Sequence, residues 1–504
     1  MDPCPWPCLL VMLGCLAACA EGGRVVVLPM PFTSHIKYHI NVAHELVKLG
    51  HEVWLTMPDN VAAKGMLDTT HLTIVQYATE ISVEDAAMVF LRDKYFKDES
   101  DDLPRLMDFM IKYCDTLLRN ESFFHVIRDL RPELIIIDQV LLKMLVVIPY
   151  RLGVPFAFVG TAYDPIGQRI PFAPAVTPLV FLPFTDHMAF WDRAQNVFLF
   201  LLAALHDHSA HSDAVATYAP EMPYLPLDRL VAMAELWLVE LDHILDYPRP
   251  TLPNVKLIGG TATGPAKALP PEFRSFMDGA TQGVVIVSFG SYVLDLPEKI
   301  GAKILQVLLQ LPMKSVFRSK LISPDPEKIL TSPWLPQNDL LGHPNTKVFV
   351  SHCGKNGQYE ALYHAVPVVA APMFADQGYN AERMRVKGFS ETIDLRTITA
   401  SDLKDIIVKV ATQRRYKQAI SKASELFRIE FGVPMEKAAF WLDHVIKYGG
   451  AHMRSAGHDI PYYQFLGLDI AVFFVTVFVV FSFMFVCCCR FAAKCLCRKK
   501  QKED

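Results

Sequence analysis

The stretch from Thr346 to Met373 leaves this chain few folds to choose from. Thr346 to Ser351 is a short apolar run rich in Val and Phe, and it reads as a buried strand. Cys353-Gly354-Lys355-Asn356-Gly357 is a turn signal, and Gln358 to His364 is a helix that must stop before Pro367. Val366 to Met373 is a second buried strand. Strand, Gly-containing turn and helix in this order belong to an open α/β sheet. They aim free backbone N–H groups and the positive end of a helix dipole at one point beyond the strand, which suits an anion.

The polar residues around that point fit a nucleotide-sugar. Trp334 offers a flat ring for a base, with Gln337 close by in sequence. His352 stands at the strand end, ready to donate to a diphosphate. Asn356 and Glu360 are four apart and share a helix face, and the Glu360 carboxylate can accept both hydrogens of a ribose diol. Asp376 and Gln377 follow the second strand, where open α/β sheets bind ligands, and can accept from and donate to sugar hydroxyls.

The first half of the chain opens as a βαβ unit. Arg24 to Met30 is a Val-rich strand, Pro31 to His35 a loop, Ile40 to Leu49 an amphipathic helix stopped by Gly50, and Glu52 to Thr56 the next strand. There is no G-x-G-x-x-G, so no dinucleotide site is expected here. Leu134 to Asp138 is another buried strand, and it ends in an acid. His35 lies past the carboxyl end of the first strand, so His35 and Asp138 open onto one crevice. An imidazole titrates near neutrality and can take a proton from an attacking hydroxyl, while a carboxylate fixes its tautomer and stabilises the imidazolium. His35 and His39 are also four apart, but no H-E-x-x-H glutamate or third ligand accompanies them, and no metal is expected.

With these residues in place, the chain resembles the membrane-bound UDP-glycosyltransferase family, which includes glucuronosyltransferases and ceramide galactosyltransferase. Ser288-Phe289-Gly290-Ser291, the stretch from Asp246 to Val255 and Gly449-Gly450-Ala451-His452 are also family-like. The resemblance implies two doubly wound Rossmann-like α/β domains facing a cleft (the GT-B fold), with the acceptor domain first. It implies that Trp334 stacks on uracil beside Gln337, and that Ser291, His352, Gly354, Asn356 and Gly357 take the diphosphate. Glu360 then takes the ribose, and Asp376 and Gln377 the transferred sugar. It assigns His35 as base and Asp138 as its partner in an inverting transfer that needs no cofactor beyond the UDP-sugar co-substrate. Three positions depart from the family: Cys353 and Ala365 stand where Gly is usual, and Lys355 where a small polar residue is. A Cβ at Cys353 is expected to crowd the phosphate loop, and the Lys355 charge to offset that by contacting phosphate.

Asp376-Gln377 resembles glucuronosyl and glucosyl members, since galactosyl members tend to carry His at the second position. Glucuronic acid is therefore the expected sugar, passed to a small lipophilic acceptor or lipid. The alternatives are a glucosyl or galactosyl transferase acting on lipids, and a catalytically silent membrane-binding protein on the same fold.

Residues 1–20 read as a secretory leader, with an apolar run from Leu9 to Ala18 before Ala18-Cys19-Ala20. Domains are expected at 21–255 for the acceptor and 256–440 for the donor, with membrane-proximal helices at 441–469. Residues 470–489 are uncharged and long enough to span a bilayer. The basic tail at 490–504 places the C-terminus in the cytoplasm and the body in a lumen, as a single-pass type I protein. Lys500 and Lys502 resemble a dilysine retrieval signal, which points to the endoplasmic reticulum membrane. Asn120-Glu121-Ser122 is a usable glycosylation sequon. Of eleven cysteines only Cys114 and Cys353 fall in the expected body, so no disulfide framework is present. A net charge of −4 without a basic patch outside the tail excludes nucleic acid as a partner. Homo-oligomer formation stays open. So does the apolar segment from Pro165 to Leu205, as acceptor pocket, membrane contact or ordinary helical core.

Overall fold

Among the described residues of the computed structural model of this chain, thirteen short strands, most of them buried runs of Val, Ile, Leu and Phe, form two sheets. The structure describes residues 22–79, 82–99, 103–139, 143–180, 182, 184–209, 213–291 and 293–500. The leader expected at 1–20 and Lys502 of the tail lie outside the described residues.

The first sheet holds β1 (Arg24–Leu28), β2 (Glu52–Pro58), β3 (Thr73–Tyr77), β4 (Leu134–Asp138), β5 (Phe156–Gly160), β6 (Leu236–Val239) and β7 (Val255–Leu257), in the order β3-β2-β1-β4-β5-β6-β7. The second holds β8 (Val284–Ser288), β9 (Lys314–Arg318), β10 (Ile329–Ser332), β11 (Thr346–Ser351), β12 (Val368–Ala370) and β13 (Ser390–Thr392), in the order β10-β9-β8-β11-β12-β13. Every pairing is parallel. Both orders reverse direction once, between β1 and β4 and between β8 and β11. These are the topological switch points at which doubly wound sheets open a crevice. The expected architecture of two doubly wound α/β domains is therefore present.

Helix α1 (Thr33–Lys48) follows β1. It starts earlier than the sequence reading allowed, because Phe32 is extended and His35 N–H already donates to its carbonyl. His35 thus sits in a first helical turn rather than on a loop. Helix α2 (Lys355–Tyr363) likewise starts at Lys355, with Gly354 as its extended N-cap. The turn before it shrinks to Cys353-Gly354. Gly357 lies inside the helix, where an added Cβ would come within 3.3 Å of Phe349.

Helix α3 (Pro434–Tyr448) returns to the first domain. Ala438, Ala439, Leu442 and Val445 bury among Val25, Ile36 and Leu55, and His51 Nε2 meets Asp443 Oδ1 at 2.9 Å. A buried knot fixes the connection between domains. Arg383 Nη1 and Arg249 Nη2 both donate to Asp246, at 2.5 and 3.2 Å, and Tyr379 OH joins them. Burial works against the Asp246 charge, but the two guanidinium groups hold its carboxyl well below the usual carboxylate range. The family-like stretch around Asp246 is thus a structural anchor. Helix α4 (Leu468–Lys500) is the last described element, and its part from Leu468 to Ala493 has a mean hydropathy of 2.8 with none of its residues buried.

Candidate active site

At the first switch point, β4 delivers Asp138 at its last residue and α1 delivers three side chains from one face. His35, Tyr38 and His39 stand at i, i+3 and i+4, so all three reach the same carboxylate. Asp138 Oδ2 accepts from His35 Nδ1 at 2.8 Å, from Tyr38 OH, and from His39 Nε2 at 3.2 Å. Asp138 is fully buried, whereas the His35 side chain is 17% exposed, so only the histidine reaches the crevice. Burial opposes the charge on Asp138, yet its neighbours keep the carboxyl far below the usual range. Burial also works against the His35 imidazolium, but Asp138 outweighs it and the His35 pKa is raised. For His39 burial wins and the pKa falls. With Nδ1–H given to Asp138, His35 is left with Nε2 as a free acceptor.

The sequence reading paired His35 with Asp138 but missed Tyr38 and treated His39 only as a metal candidate. The i, i+3, i+4 spacing was the available signal. A loop over residues 31–35, as the turn-forming Pro31 and Ser34 suggest, hides that spacing.

At the second switch point the turns after β8 and β11 lie side by side, since Ser288 and Ser351 are register partners. His352 is half-buried between them. A Cβ built on Gly290 would approach His352 Nε2 to 2.6 Å and one on Gly354 to 2.4 Å, so both turns need a bare backbone here. Burial, then the nearby Arg318, push the His352 pKa down to about 4, so the ring is a neutral hydrogen-bonding group. Ser291 follows Gly290 at the mouth of the same crevice. The first-turn N–H groups of α2 have no acceptor within the helix and face this point.

Cys353 has φ +63 and Ala365 φ +56, so the two residues standing where glycine is usual keep a left-handed backbone. The Cys353 side chain packs into the core, and its carbonyl accepts from Asn380 Nδ2 at 3.0 Å. Ser351 Oγ accepts from Cys353 N–H at 3.1 Å.

Several donor-side residues reach across to the first domain. Asn356 Nδ2 donates to the Ser34 carbonyl at 3.1 Å. Glu360 accepts from Lys37 Nζ at 3.2 Å and from Gln337 Nε2. Lys355 Nζ donates to the Thr161 carbonyl at 3.1 Å. Burial, then Arg383, lower the Lys355 pKa to about 8 against the pull of Asp246, Asp376 and Glu240. Asp376 accepts from Asn380 Nδ2 at 2.7 Å, and Gln377 Oε1 accepts from Met373 and Phe374 N–H at 2.8 and 3.2 Å, leaving Gln377 its amide donors. Trp334 is 46% exposed and lies just past the carboxyl end of β10.

Glu240, just past β6, was not foreseen. It accepts from Thr261 N–H at 2.6 Å and from the Thr261 hydroxyl, and its Oε2 is buried without a hydrogen-bond partner among the described residues. Asn120, by contrast, caps the helix Glu121–Asp129 through its carbonyl oxygen, at 2.9 Å from Phe123 N.

Comparisons with known proteins bear on the family and the fold. Residues 23–503 match the family described as UDP-glucoronosyl and UDP-glucosyl transferase. UDP-glucuronosyltransferase 2B17 of Homo sapiens is 30% identical, over 98% of this chain and 98% of its own length. UDP-glucuronosyltransferase 1A8 of Homo sapiens is also 30% identical, over 98% and 96%. Among solved structures, the glycotransferase of kitacinnamycin superposes with a TM-score of 0.60 at 20% identity, covering 84% of this chain and 99% of that one. The calicheamicin glycosyltransferase CalG4 gives 0.59 at 15%, covering 85% and 99%. These likenesses bear on the fold, two parallel-sheet domains of the GT-B class. Taken with the whole-length family match, they identify the chain as a member of the UDP-glycosyltransferase family.

Proposed function

We propose that this enzyme transfers glucuronic acid from UDP-glucuronate, with inversion, to the hydroxyl of a small lipophilic alcohol, phenol or lipid. The observation that carries the reading is the meeting of two half-sites: the His35–Asp138 pair on α1 and β4, and the donor-side helix α2 held against α1 by the Asn356–Ser34 and Glu360–Lys37 contacts. His35 Nε2 takes the acceptor's hydroxyl proton as that oxygen attacks the anomeric carbon. The bond from that carbon to the diphosphate oxygen breaks, and UDP leaves with the electron pair. The first-turn amides of α2, His352 and Ser291 receive the developing charge. Trp334 and Gln337 hold the base, Gly354, Asn356 and Gly357 the phosphates, Glu360 the ribose, and Asp376 and Gln377 the sugar. Donor arrival then replaces the Lys37 contact to Glu360 with the ribose diol.

Two facts bear on the sugar. The relatives at 30% identity are named glucuronosyltransferases. Lys355, whose Nζ donates to the Thr161 carbonyl, is a buried cation of the donor half that would complement a uronate carboxylate. Glucose is the second reading, since the matching family is described by glucosyl as well as glucuronosyl transfer. Microsomes expressing the chain, assayed with UDP-glucuronate, UDP-glucose, UDP-galactose and UDP-N-acetylglucosamine, decide between them. Transfer from UDP-glucuronate alone is expected, and preference for UDP-glucose would install the second reading. No transfer from any donor would leave the silent binding protein.

The apolar part of α4 supports membrane anchorage, and the basic residues after it a lumenal body in the endoplasmic reticulum. Protease added to intact microsomes should then remove only the tail after Arg490. Digestion of the body without detergent would contradict that topology.

A further inference from the structure

Helix α1 carries the His35 imidazole, yet nothing in its own sequence holds its first turn. Its N-cap is Phe32, whose side chain accepts no hydrogen bond, and its first turn contains no acid. A helix start of this kind frays, because its leading N–H groups have no partner within the helix. The missing cap comes from 51 positions along the chain. Glu84 Oε1 accepts from Thr33 N–H at 2.5 Å, and Glu84 Oε2 accepts from the Thr33 hydroxyl at 2.9 Å. Lys64 Nζ donates to the same Oε2 at 2.5 Å. Glu84 is 1% exposed, so its carboxylate serves the start of α1 and not solvent. It also sets a negative charge against the positive end of the α1 dipole. His35 follows Thr33 within the turn that this clamp holds.

The helix that delivers Glu84 is shared by both domains. Val83–Phe96 begins beside α1 and ends in the second domain. Leu91 and Tyr95 are buried in a core cluster whose other buried members, Phe289, Phe317 and Leu395 among them, all come from the second domain. Tyr95 OH donates to Asp394 Oδ1 at 2.9 Å, just past β13. Arg396 Nη1 donates to the Tyr95 carbonyl at 3.1 Å, and its guanidinium lies 4.6 Å from the centroid of the Tyr95 ring. The last turn of this helix is thus pinned to the donor domain, while its first turn holds the helix that carries the base. A helix of 14 residues is a stiff rod of about 20 Å, so a shift at one end is felt at the other.

We propose that Glu84 is a positioning residue for His35, and that the helix Val83–Phe96 makes this positioning depend on how the donor domain is seated. With Glu84 in place, the first turn of α1 keeps His35 on Asp138 and Nε2 aimed at the acceptor hydroxyl. Without it that turn loosens, and the base loses its aim although its own partners remain. The inference rests on His35 being the base, and it does not depend on the choice of sugar.

The test uses the full chain in microsomes, with the donor that the four UDP-sugars select and a small phenol as acceptor. Glu84→Ala should lower kcat roughly 10–100-fold, the scale of a catalytic group displaced by about 1 Å. UDP affinity should stay within about twofold, since no donor contact is touched. Glu84→Gln keeps an oxygen for Thr33 N–H and should regain most of the loss. Arg396→Ala, at the far end of the rod, should lower kcat about threefold and add nothing to Glu84→Ala in the double variant. Full kcat in Glu84→Ala overturns the proposal, and so does a parallel fall in UDP affinity. A Gln variant as slow as the Ala variant overturns the capping role, and additive losses in the double variant overturn the link to the donor domain. If Glu84→Ala does not accumulate, Arg396→Ala still decides, because full kcat there overturns the proposal. Full activity in His35→Ala is a different failure, since it removes the base on which the inference rests.

Discussion

The two sheets share one strand order and place their sites at the same topological position, yet they solve opposite problems there. At the β1/β4 switch point the crevice is built from side chains: one buried acid, Asp138, collects three donors from a single helix face. At the β8/β11 switch point it is built from backbone: Gly290 and Gly354 close on His352, and a helix start supplies N–H groups. The first arrangement tunes one proton-accepting nitrogen. The second makes room for a bulky anion and offers it fixed dipoles. One fold thus separates proton chemistry from leaving-group binding, and the mutations that damage each half should leave different kinetic signatures.

The largest effect is expected at His35. His35→Ala should lower kcat by about 10²–10⁴-fold, the usual worth of a general base, with UDP affinity unchanged. If UDP affinity falls in parallel, the division of labour between the two crevices is wrong.

Asp138→Asn sharpens the same half. His35 accepts a proton only when neutral, and its folded pKa lies above the ordinary 6.5, so activity should climb with pH on the alkaline side of that value. Removing the carboxylate takes away the main group that raises that pKa, and leaves burial to lower it against the weaker pull of Glu240 and Asp376. The acid limb of the pH–rate profile should therefore move to lower pH, while the plateau falls on the order of 10²-fold through loss of tautomer and imidazolium stabilisation. An acid limb that stays in place would mean that another group titrates.

For the donor half, Glu360→Ala leaves ribose hydroxyls without their acceptor and should weaken UDP binding by about 1–3 kcal/mol. Isothermal titration with UDP measures this directly, and an unchanged affinity removes Glu360 from the site.

The smallest effect belongs to Cys353→Gly. A left-handed backbone costs a non-glycine residue about 1–2 kcal/mol, but glycine loses more chain entropy on folding and empties a buried space. These terms oppose each other, so Tm should shift by only a few degrees and UDP affinity by less than about twofold. Tighter UDP binding in this variant would show that the Cys353 side chain does crowd the diphosphate. Lys355→Ala supplies the contrast, since Lys355 Nζ is spent on the Thr161 carbonyl across the cleft. Its loss should show in donor-sugar preference rather than in affinity for UDP itself.

Much of the site was legible because its chemistry is local. The strand–turn–helix at Thr346–Tyr363 and the acid at the end of Leu134–Asp138 announce themselves by apolar runs and their breaks. Where the reading failed, the missing information was a boundary or a distance. One early helical turn turned His35, Tyr38 and His39 into a set. Lys37 and Thr161 could not be named as partners of Glu360 and Lys355, because those contacts join segments hundreds or nearly two hundred residues apart. Glu240 gave no signal either, for a single acid after a short strand is ordinary until its burial is known.

The sequence by itself determined the two parallel sheets, the apolar helix at the end, and the residue types at both strand ends, because hydrophobic periodicity and turn chemistry act over a few residues. The tertiary structure decided which of those residues meet. It folded α3 back onto the first domain, set α2 against α1, and ran the helix Val83–Phe96 from the start of α1 into the core of the second domain. Such contacts depend on how whole elements pack, and no short window of sequence encodes that.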